Sequence, residues 1–369
     1  MIDIAFLKKL RRPTFSLDFF SGKPGAIVGI DLGVHSAKVV QLKYEGERAR
    51  LETYGELLSA GYLKTISGTG GGFLNYLDSD IAALLKDLLK EAGVTTPYAA
   101  LSVPANASFV TTITFPRLDR KEIAQAIEFE ARKYIPIPIS EVVLDWDINE
   151  PSEERNTTEV LLVAVPREVI EKLKRVADLT GLKPHVMEVE NFSLVRSLVG
   201  RDPAPTAVLN MGYLSTTLVM VDKGRVRAAH NFSRGSQGLT RALESGLGVS
   251  EERAETIKRE VGLSERMEER EITSVIQPLI EALFIEIERT ILLYNRKAER
   301  KIQKINLTGG GSNLKGITDY TSTKFGIEVL QGNPLARIVT PAFLQPKLRE
   351  IAPSFSTAVG LALHGITTR

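Results

Sequence analysis

Two stretches far apart in the chain repeat one pattern of apolar and polar positions. Ala26-Ile27-Val28-Gly29-Ile30-Asp31-Leu32-Gly33 is an apolar, β-rich run ending at a tight turn, and Val34 to Leu42 returns from it as a second strand. Thr206-Ala207-Val208-Leu209-Asn210-Met211-Gly212 does the same and is followed by Tyr213 to Val221. With a constant offset of 179 residues, Asp31 falls on Asn210, Gly33 on Gly212, Ser36 on Ser215 and Val40 on Val219. Each copy then reaches a further turn, Glu45-Gly46-Glu47 or Asp222-Lys223-Gly224, and a third alternating strand. Glycine-bounded runs of this kind predict β-hairpins, and the shared register predicts a duplicated unit.

Other elements fall around the copies. Ala99 to Val103, Val110 to Phe115, Val142 to Ile148 and Glu159 to Val165 read as strands, with helices starting at Asp119 and spanning Arg167 to Thr180. Asp119 and Glu122 have the spacing of a capping box. Ile123, Ile127 and Tyr134 mark the inner face of that helix, and Pro136 and Pro138 stop it. Further on, Ile276, Leu279, Ile280, Leu283, Phe284, Ile287 and Ile291 keep helical spacing and read as core. A late strand-like run, Ile305 to Thr308, leads into Gly309-Gly310-Gly311-Ser312.

Composition removes several classes of function. The 369 residues, 43% of them hydrophobic, suit two or three globular domains. The absence of cysteine excludes disulfides, thiolate metal sites and a cysteine nucleophile. His35, His185, His230 and His364 lie too far apart for a local ligand pair. With 47 Lys and Arg against 45 Asp and Glu, the net charge of +2 gives no reason to expect a nucleic-acid partner. No apolar run approaches the roughly 18 to 20 residues that span a bilayer, so the expectation is a soluble chain. Residues 1–24 mix Ile2, Ile4, Phe6, Leu7 and Leu10 with Lys8, Lys9, Arg11 and Arg12. Such a basic amphipathic tail can lie on an anionic membrane surface, or it can pack on the domain or stay mobile.

The repeated turn carries the candidate chemistry. Glycine lets backbone amides and hydroxyls approach a phosphate closely. A strand-end carboxylate such as Asp31 can hold a hydrated Mg²⁺ that accompanies the phosphate, and Lys38, seven residues on, would return along the second strand as a point charge. Two such hairpins facing one another would form a clasp, against the plainer reading of two ordinary glycine hairpins. The three consecutive glycines at 309–311 would let a flat ligand lie on bare backbone. Gly235-Ser236-Gln237-Gly238 reads as a glycine turn entering a helix, where amides are free to meet phosphate. Glu255 and Lys258 share a face of the helical stretch Glu251 to Val261, either as an exposed ion pair or as ligands. No P-loop, dinucleotide fingerprint, Ser/His/Asp arrangement or HExxH pattern occurs.

Asp31-Leu32-Gly33 with Lys38, a second hairpin in mid-chain and a late strand-Gly-Gly-Gly resemble the actin, heat-shock chaperone and sugar-kinase superfamily over nearly the whole chain. Glu130-Ala131-Arg132-Lys133-Tyr134-Ile135-Pro136-Ile137-Pro138, running on through Glu141 to Trp146, is similar to the PilM family, actin-like cytoplasmic proteins of type IV pilus assembly. Leu307 to Ile317 is similar to that family's adenosine segment. The glycine motifs alone would not separate PilM from the division protein FtsA.

The resemblance implies an α/β, bilobed actin-like ATPase fold, two ribonuclease H-like domains with a small inserted α+β subdomain. In that picture residues 1–24 are a tail, 25–97, 188–205 and 355–369 the first lobe, 98–187 the insert and 206–354 the second lobe, with 239–299 its helical part. ATP and Mg²⁺ are the implied cofactors. Asp31, Gly33, Ser36 and Lys38 correspond to the first phosphate segment, Gly212 and Ser215 to the second, and Gly310, Gly311 and Ser312 to the adenosine segment. Glu255 and Lys258 resemble the pair that reaches ribose and base, and Glu190 falls where relatives position water for hydrolysis. Asn210 departs from the family's metal-associated aspartate and, with Asp31, would act on Mg²⁺ through water, which implies slow or absent turnover. His35 departs from a small hydroxyl residue and would either donate to phosphate or point into solvent.

The implied partner is the N-terminal cytoplasmic peptide of the membrane protein PilN, lying against Phe129, Arg132, Lys133 and Tyr134. Other pilus platform and motor proteins are further implied partners, and self-association is compatible with the reading. The implied place is the cytoplasmic face of the inner membrane, held there mainly through PilN. The rival functions on the same fold are an actin-like division or cytoskeletal protein and a small-molecule kinase.

Overall fold

The computed structural model describes residues 16–18, 24–45, 48–63, 73–149 and 156–364. The first copy of the repeat is an antiparallel meander of β2 (Ala26–Leu32), β3 (Ser36–Glu45) and β4 (Arg48–Leu58), preceded by a short β1 (Ser16–Asp18). After α1 (Asp78–Glu91), β5 (Tyr98–Val103) adds parallel to β2. The chain then leaves the sheet for β6 (Phe109–Pro116), α2 (Arg120–Ala131), β7 (Val142–Ile148) and β8 (Thr157–Pro166). It returns through α3 (Arg167–Thr180) to β9 (Lys183–Val189), parallel to β5, and α4 (Glu190–Leu198). The sheet order is β1-β9-β5-β2-β3-β4.

The second copy follows the same plan. Strands β10 (Thr206–Met211), β11 (Thr216–Asp222) and β12 (Arg225–Phe232) form the meander, and β13 (Lys304–Thr308) and β14 (Glu328–Gln331) add in parallel, giving β12-β11-β10-β13-β14. Between β12 and β13 run α5 (Ser236–Leu247), α6 (Glu251–Val261) and the long α7 (Arg270–Lys297); α8 (Ile317–Phe325) precedes β14, and α9 (Gln345–Ile351) and α10 (Ser356–Ala362) close the chain. The duplication extends to a register shift in each meander. It lies between Gln41 and Leu42 in one copy and between Met220 and Val221 in the other, positions again 179 apart.

Each lobe has a core on one face of its sheet, and the first core runs on through α4 to Val208, Val219 and Val221 of the second lobe. Leu84, Leu85, Leu173 and Val176 on α1 and α3 cover Val28, Ile30 and Leu101 in the first, while Phe284, Ile280 and Ile287 of α7 cover Leu209, Leu218 and Leu307 in the second. Among the described residues, no helix is long and apolar enough to cross a membrane.

Several sequence expectations are corrected. The three-stranded insert, β6-β8-β7 with α2 on its face, spans Phe109 to Pro166 and not 98–187. β5 and β9 are nearly continuous buried runs, which belong in a sheet covered on both sides. The second lobe ends before 354, because Leu335, Ile338 and Leu348 pack with Val40, Leu42 and Leu363 of the first. The capping box at Asp119 and Glu122 forms, but α2 stops at Ala131, five residues before Pro136. Beyond that point helical spacing no longer applies: Ile135 enters the core and Tyr134 is exposed. Of the tail, residues 1–15 and 19–23 lie outside the described residues, as does the glycine-rich 64–72; Ser16–Asp18 runs antiparallel to β9 at the sheet edge.

Candidate functional site

The two repeated turns face one cleft of about 1100 Å³ between the lobes. Asp31, Gly33, His35, Ser36, Lys38 and Glu190 line it from one side, and Asn210, Gly212, Ser215, Gly235, Glu255, Lys258, Gly310 and Gly311 from the other. The turns match in detail: a β-carbon on Gly33 would stand 2.7 Å from the Ser36 carbonyl oxygen, and one on Gly212 2.8 Å from that of Ser215. Ser312 falls outside the cleft, because it is buried and its hydroxyl donates to the Gly309 carbonyl at 2.7 Å.

Strand register places charge on the floor of the first lobe. Asp31 pairs across β3 with Lys38, and Lys38 pairs across β4 with Glu56, so three charged side chains stand in one row. Lys38 Nζ lies 2.6 Å from Ser36 Oγ and 3.1 Å from a Glu56 carboxylate oxygen, and the Ser36 hydroxyl donates to Glu56 at 2.7 Å. Burial alone would raise the Glu56 pKa, but Lys38 and the Ser36 hydrogen bond hold it below its ordinary value. Asp31 behaves oppositely. Desolvation raises its pKa, only partly offset by Lys38 and by a contact from the Ser102 hydroxyl at 3.4 Å.

Glu190, the first residue of α4, sits beside this row and accepts from the Ala105 amide at 2.8 Å. Its pKa is pushed up to about 7, first by burial and then by the charge of Asp31. Two carboxylates in one desolvated floor, each raising the cost of ionising there, make a place that a cation would relieve.

On the opposite wall, Gly309 has φ +82°, and a β-carbon there would lie 2.4 Å from Asn210 Oδ1 and 2.5 Å from the Met211 carbonyl oxygen. Only glycine lets this loop sit against the end of β10, and Gly310 beside it has nothing within 4 Å of where its β-carbon would be. The start of α5 differs from the sequence expectation. Its first amides are not free, because Ser236 donates to the Gly212 carbonyl at 3.0 Å and Gln237 to that of Tyr213 at 2.9 Å, tying the helix to the second turn. His35 does not point into solvent: it stacks on Tyr213 across the cleft, ring centroids 4.5 Å apart, and lines the cleft.

Glu255 and Lys258 form a buried network. Lys258 Nζ reaches Glu255 at 2.5 Å and Thr240 Oγ1 at 2.8 Å, and Thr240 donates to Glu255 at 2.8 Å. Burial opposes the Glu255 charge, yet Lys258 and Arg259 bring its pKa down to about 2. Leu279, expected in the core, is 40% exposed and lines the cleft with Ile280 and Leu283 as an apolar wall. Glu56 and Tyr213 are cleft residues that the sequence did not single out as ligands, and Thr240 is a buried support beneath the Glu255–Lys258 pair. Away from the cleft, Phe129, Arg132, Lys133 and Tyr134 are all exposed at the end of α2 and in the turn after it, with Lys133 paired to Glu130 at 2.8 Å.

The family model for type IV pilus assembly protein PilM matches residues 29–366. The chain belongs to the PilM family. Among solved structures, the PilM–PilN type IV pilus biogenesis complex aligns at TM-score 0.79 and 24% identity, covering 94% of this chain and 99% of that one. The ethanolamine utilization protein EutJ from Carboxydothermus hydrogenoformans aligns at 0.55 and 19%, covering 92% and 90%. MreB 5 of Spiroplasma citri bound to AMPPNP aligns at 0.52 and 12%, covering 92% and 95%. Cell division protein FtsA of Enterococcus hirae is 22% identical over 354 residues, 83% of this chain and 78% of its own. These likenesses agree on a bilobed actin-like fold for this PilM-family chain.

Its donor set suits a hydrated divalent cation. Among the described residues no three His, Cys, Asp or Glu side chains form a cage, so a bound Mg²⁺ would keep several waters and meet Asp31, Glu190 and the neutral Asn210 through them. Glu190 also gives the fold a pH dependence. Its folded pKa of about 7 lies above the ordinary 4.5, so the stabilisation from its bound proton is complete below 4.5 and is lost as pH rises through 7, roughly 3 kcal/mol in all. Glu190→Gln is expected to flatten that loss in urea midpoints measured from pH 5 to 8; an unchanged slope would refute the assignment.

Proposed function

We propose that this PilM-family chain is a nucleotide-binding scaffold of type IV pilus assembly at the cytoplasmic face of the inner membrane, taking Mg·ATP between its lobes and the N-terminal cytoplasmic tail of PilN on the insert. The observation that carries the nucleotide part is the pair of matched glycine turns facing a single cleft whose floor holds Asp31 and Glu190. In this reading Ser36, Lys38 and Ser215 bind the phosphates, bare backbone at Gly310 and Gly311 meets the base, and Glu255 with Lys258 reaches the ribose. The AMPPNP found in MreB 5, a protein of the same fold, supports nucleotide as the class of ligand. The magnesium ion supplies charge neutralisation of the phosphate chain when bound. Asn210 adds no negative charge to its surroundings, which favours retention of ATP over its cleavage.

The complex of PilM with PilN supports PilN as the partner, and the exposed Phe129 and Tyr134, flanked by Arg132 and Lys133, supply aromatic and cationic anchors. The insert also reaches the second lobe: the Thr112 hydroxyl donates to the Arg227 carbonyl at 2.7 Å and Arg225 lies 3.9 Å from Asp147. A change of lobe angle would therefore be felt at the partner site.

Calorimetric titration of Mg·ATP into the wild-type protein tests the reading. Saturable binding with little phosphate release over hours is expected. Absence of binding to folded protein would make the chain a nucleotide-free adaptor, and brisk Mg²⁺-dependent phosphate release would overturn the role given to Asn210.

A further inference from the structure

The two meanders share strand order, turn geometry and bulge, and they differ in the row of side chains that each sends across its floor. In the second lobe that row is Asn210, Thr217 and Asn231, all neutral and closed by a hydrogen bond from Thr217 Oγ1 to Asn231 Oδ1 at 3.1 Å. In the first lobe the same register positions hold Asp31, Lys38 and Glu56. The bulge decides the last of these. Without the shift between Gln41 and Leu42, Gly55 would stand opposite Lys38 and Glu56 would turn to the other face of the sheet.

Glu56 therefore meets both donors of the first turn. The Ser36 hydroxyl donates to it, and Lys38 lies within ion-pair distance while also touching Ser36. Lys38 is almost covered at 12% exposure, whereas Glu56 is open to the cleft at 38%. A carboxylate in that place offers these donors what a phosphate oxygen would offer, and it repels any anion that comes for them. The repulsion depends on the charge of the arriving ligand. A metal-free nucleotide brings its full negative charge against the carboxylates at Asp31 and Glu56, which line the cleft. The magnesium complex brings less charge, and its cation is attracted to the same carboxylates.

We infer that Glu56 selects metal-bound over metal-free nucleotide, by holding Ser36 and Lys38 until a neutralised phosphate chain draws them away. This rests on the reading of the cleft as an Mg·ATP site. Glu56 is a positioning residue, since it acts on the ligand through Lys38 and Ser36 and through its charge.

The test is a pair of calorimetric titrations, ATP with excess Mg²⁺ and ATP in EDTA, on wild type, Glu56→Gln and Glu56→Asp. Glu56→Gln keeps an acceptor for Ser36 and removes the charge. It is expected to tighten metal-free ATP about tenfold and Mg·ATP by much less, so that the ratio of the two affinities collapses; Glu56→Asp keeps the charge and the wild-type ratio. Glu56→Ala gives the same readout should the Gln variant not fold. Equal shifts in both affinities, or an unchanged ratio in a folded variant, would overturn the inference and leave Glu56 a structural partner of Lys38. Absence of Mg·ATP binding to the wild type would instead overturn the reading of the cleft, and this inference with it.

Discussion

Asp31→Asn is expected to weaken Mg·ATP binding by about 10- to 100-fold while leaving the ligand-free protein at least as stable as the wild type at pH 8. The two effects have one cause. Desolvation raises the pKa of Asp31 in the folded chain, with Lys38 and Ser102 offsetting only part of it. Stabilisation from its bound proton is then complete below the ordinary value of 3.8 and is lost as pH rises through the raised value. At pH 8 the ionised form weighs on the empty fold, relieved in part by Lys38 and Ser102 and further by a bound cation, so removing the charge helps the empty protein and harms the complex. The substitution also makes the first row end as the second does, on an asparagine matching Asn210. Calorimetry gives the affinity, and thermal melting without ligand at pH 5 and pH 8 gives the stability. A variant that loses affinity and stability together would show Asp31 to be a structural residue whose loss disturbs the cleft indirectly.

The parts of this site legible in the sequence are those set by local chemistry. Gly33 and Gly212 announce their turns because a β-carbon would strike the carbonyl three residues on, a constraint contained within four residues and therefore visible as a repeated motif. The glycine run at 309–311 is visible only as an unusual run, because the atoms that require it, on Asn210 and Met211, lie about a hundred residues away in the sequence. Glu56 is not legible, because its place opposite Lys38 depends on a one-residue bulge that nothing in the residues around Gln41 announces. Tyr213 carries the start of α5 on its carbonyl and lines the cleft, which only the docking of that helix on the second turn reveals, and Tyr134 reads as core until the end of α2 is known. The insert boundary failed for a related reason. β5 and β9 look like strands whichever sheet owns them, and only their pairing with β2 and with each other assigns them to the first lobe.

The largest expected loss of partner binding comes from the turn after α2. Tyr134 is 47% exposed and Phe129 67%, unusual for aromatic side chains that are not in contact with a ligand or another chain. Arg132 and Lys133 stand between them in sequence, on a helix end fixed from below by Ile127, Ala131 and Ile135 in the insert core. The surface is thus rigid where it is supported and apolar where it is open, the arrangement in which a few aromatic and arginine side chains carry most of an interface's energy. Tyr134→Ala and Arg132→Glu are each expected to cost about 2 kcal/mol or more in affinity for a labelled peptide of the PilN N-terminal tail, roughly 30-fold in dissociation constant. Neither side chain supports the fold, so melting temperature and Mg·ATP titration should match the wild type. The contact of the insert with β12 adds a second readout: saturating Mg·ATP should shift peptide affinity in the wild type, and by linkage the peptide should shift ATP affinity by the same factor. Full peptide affinity in both folded variants would mean that the tail docks elsewhere on the molecule, and that the exposed aromatics serve another contact.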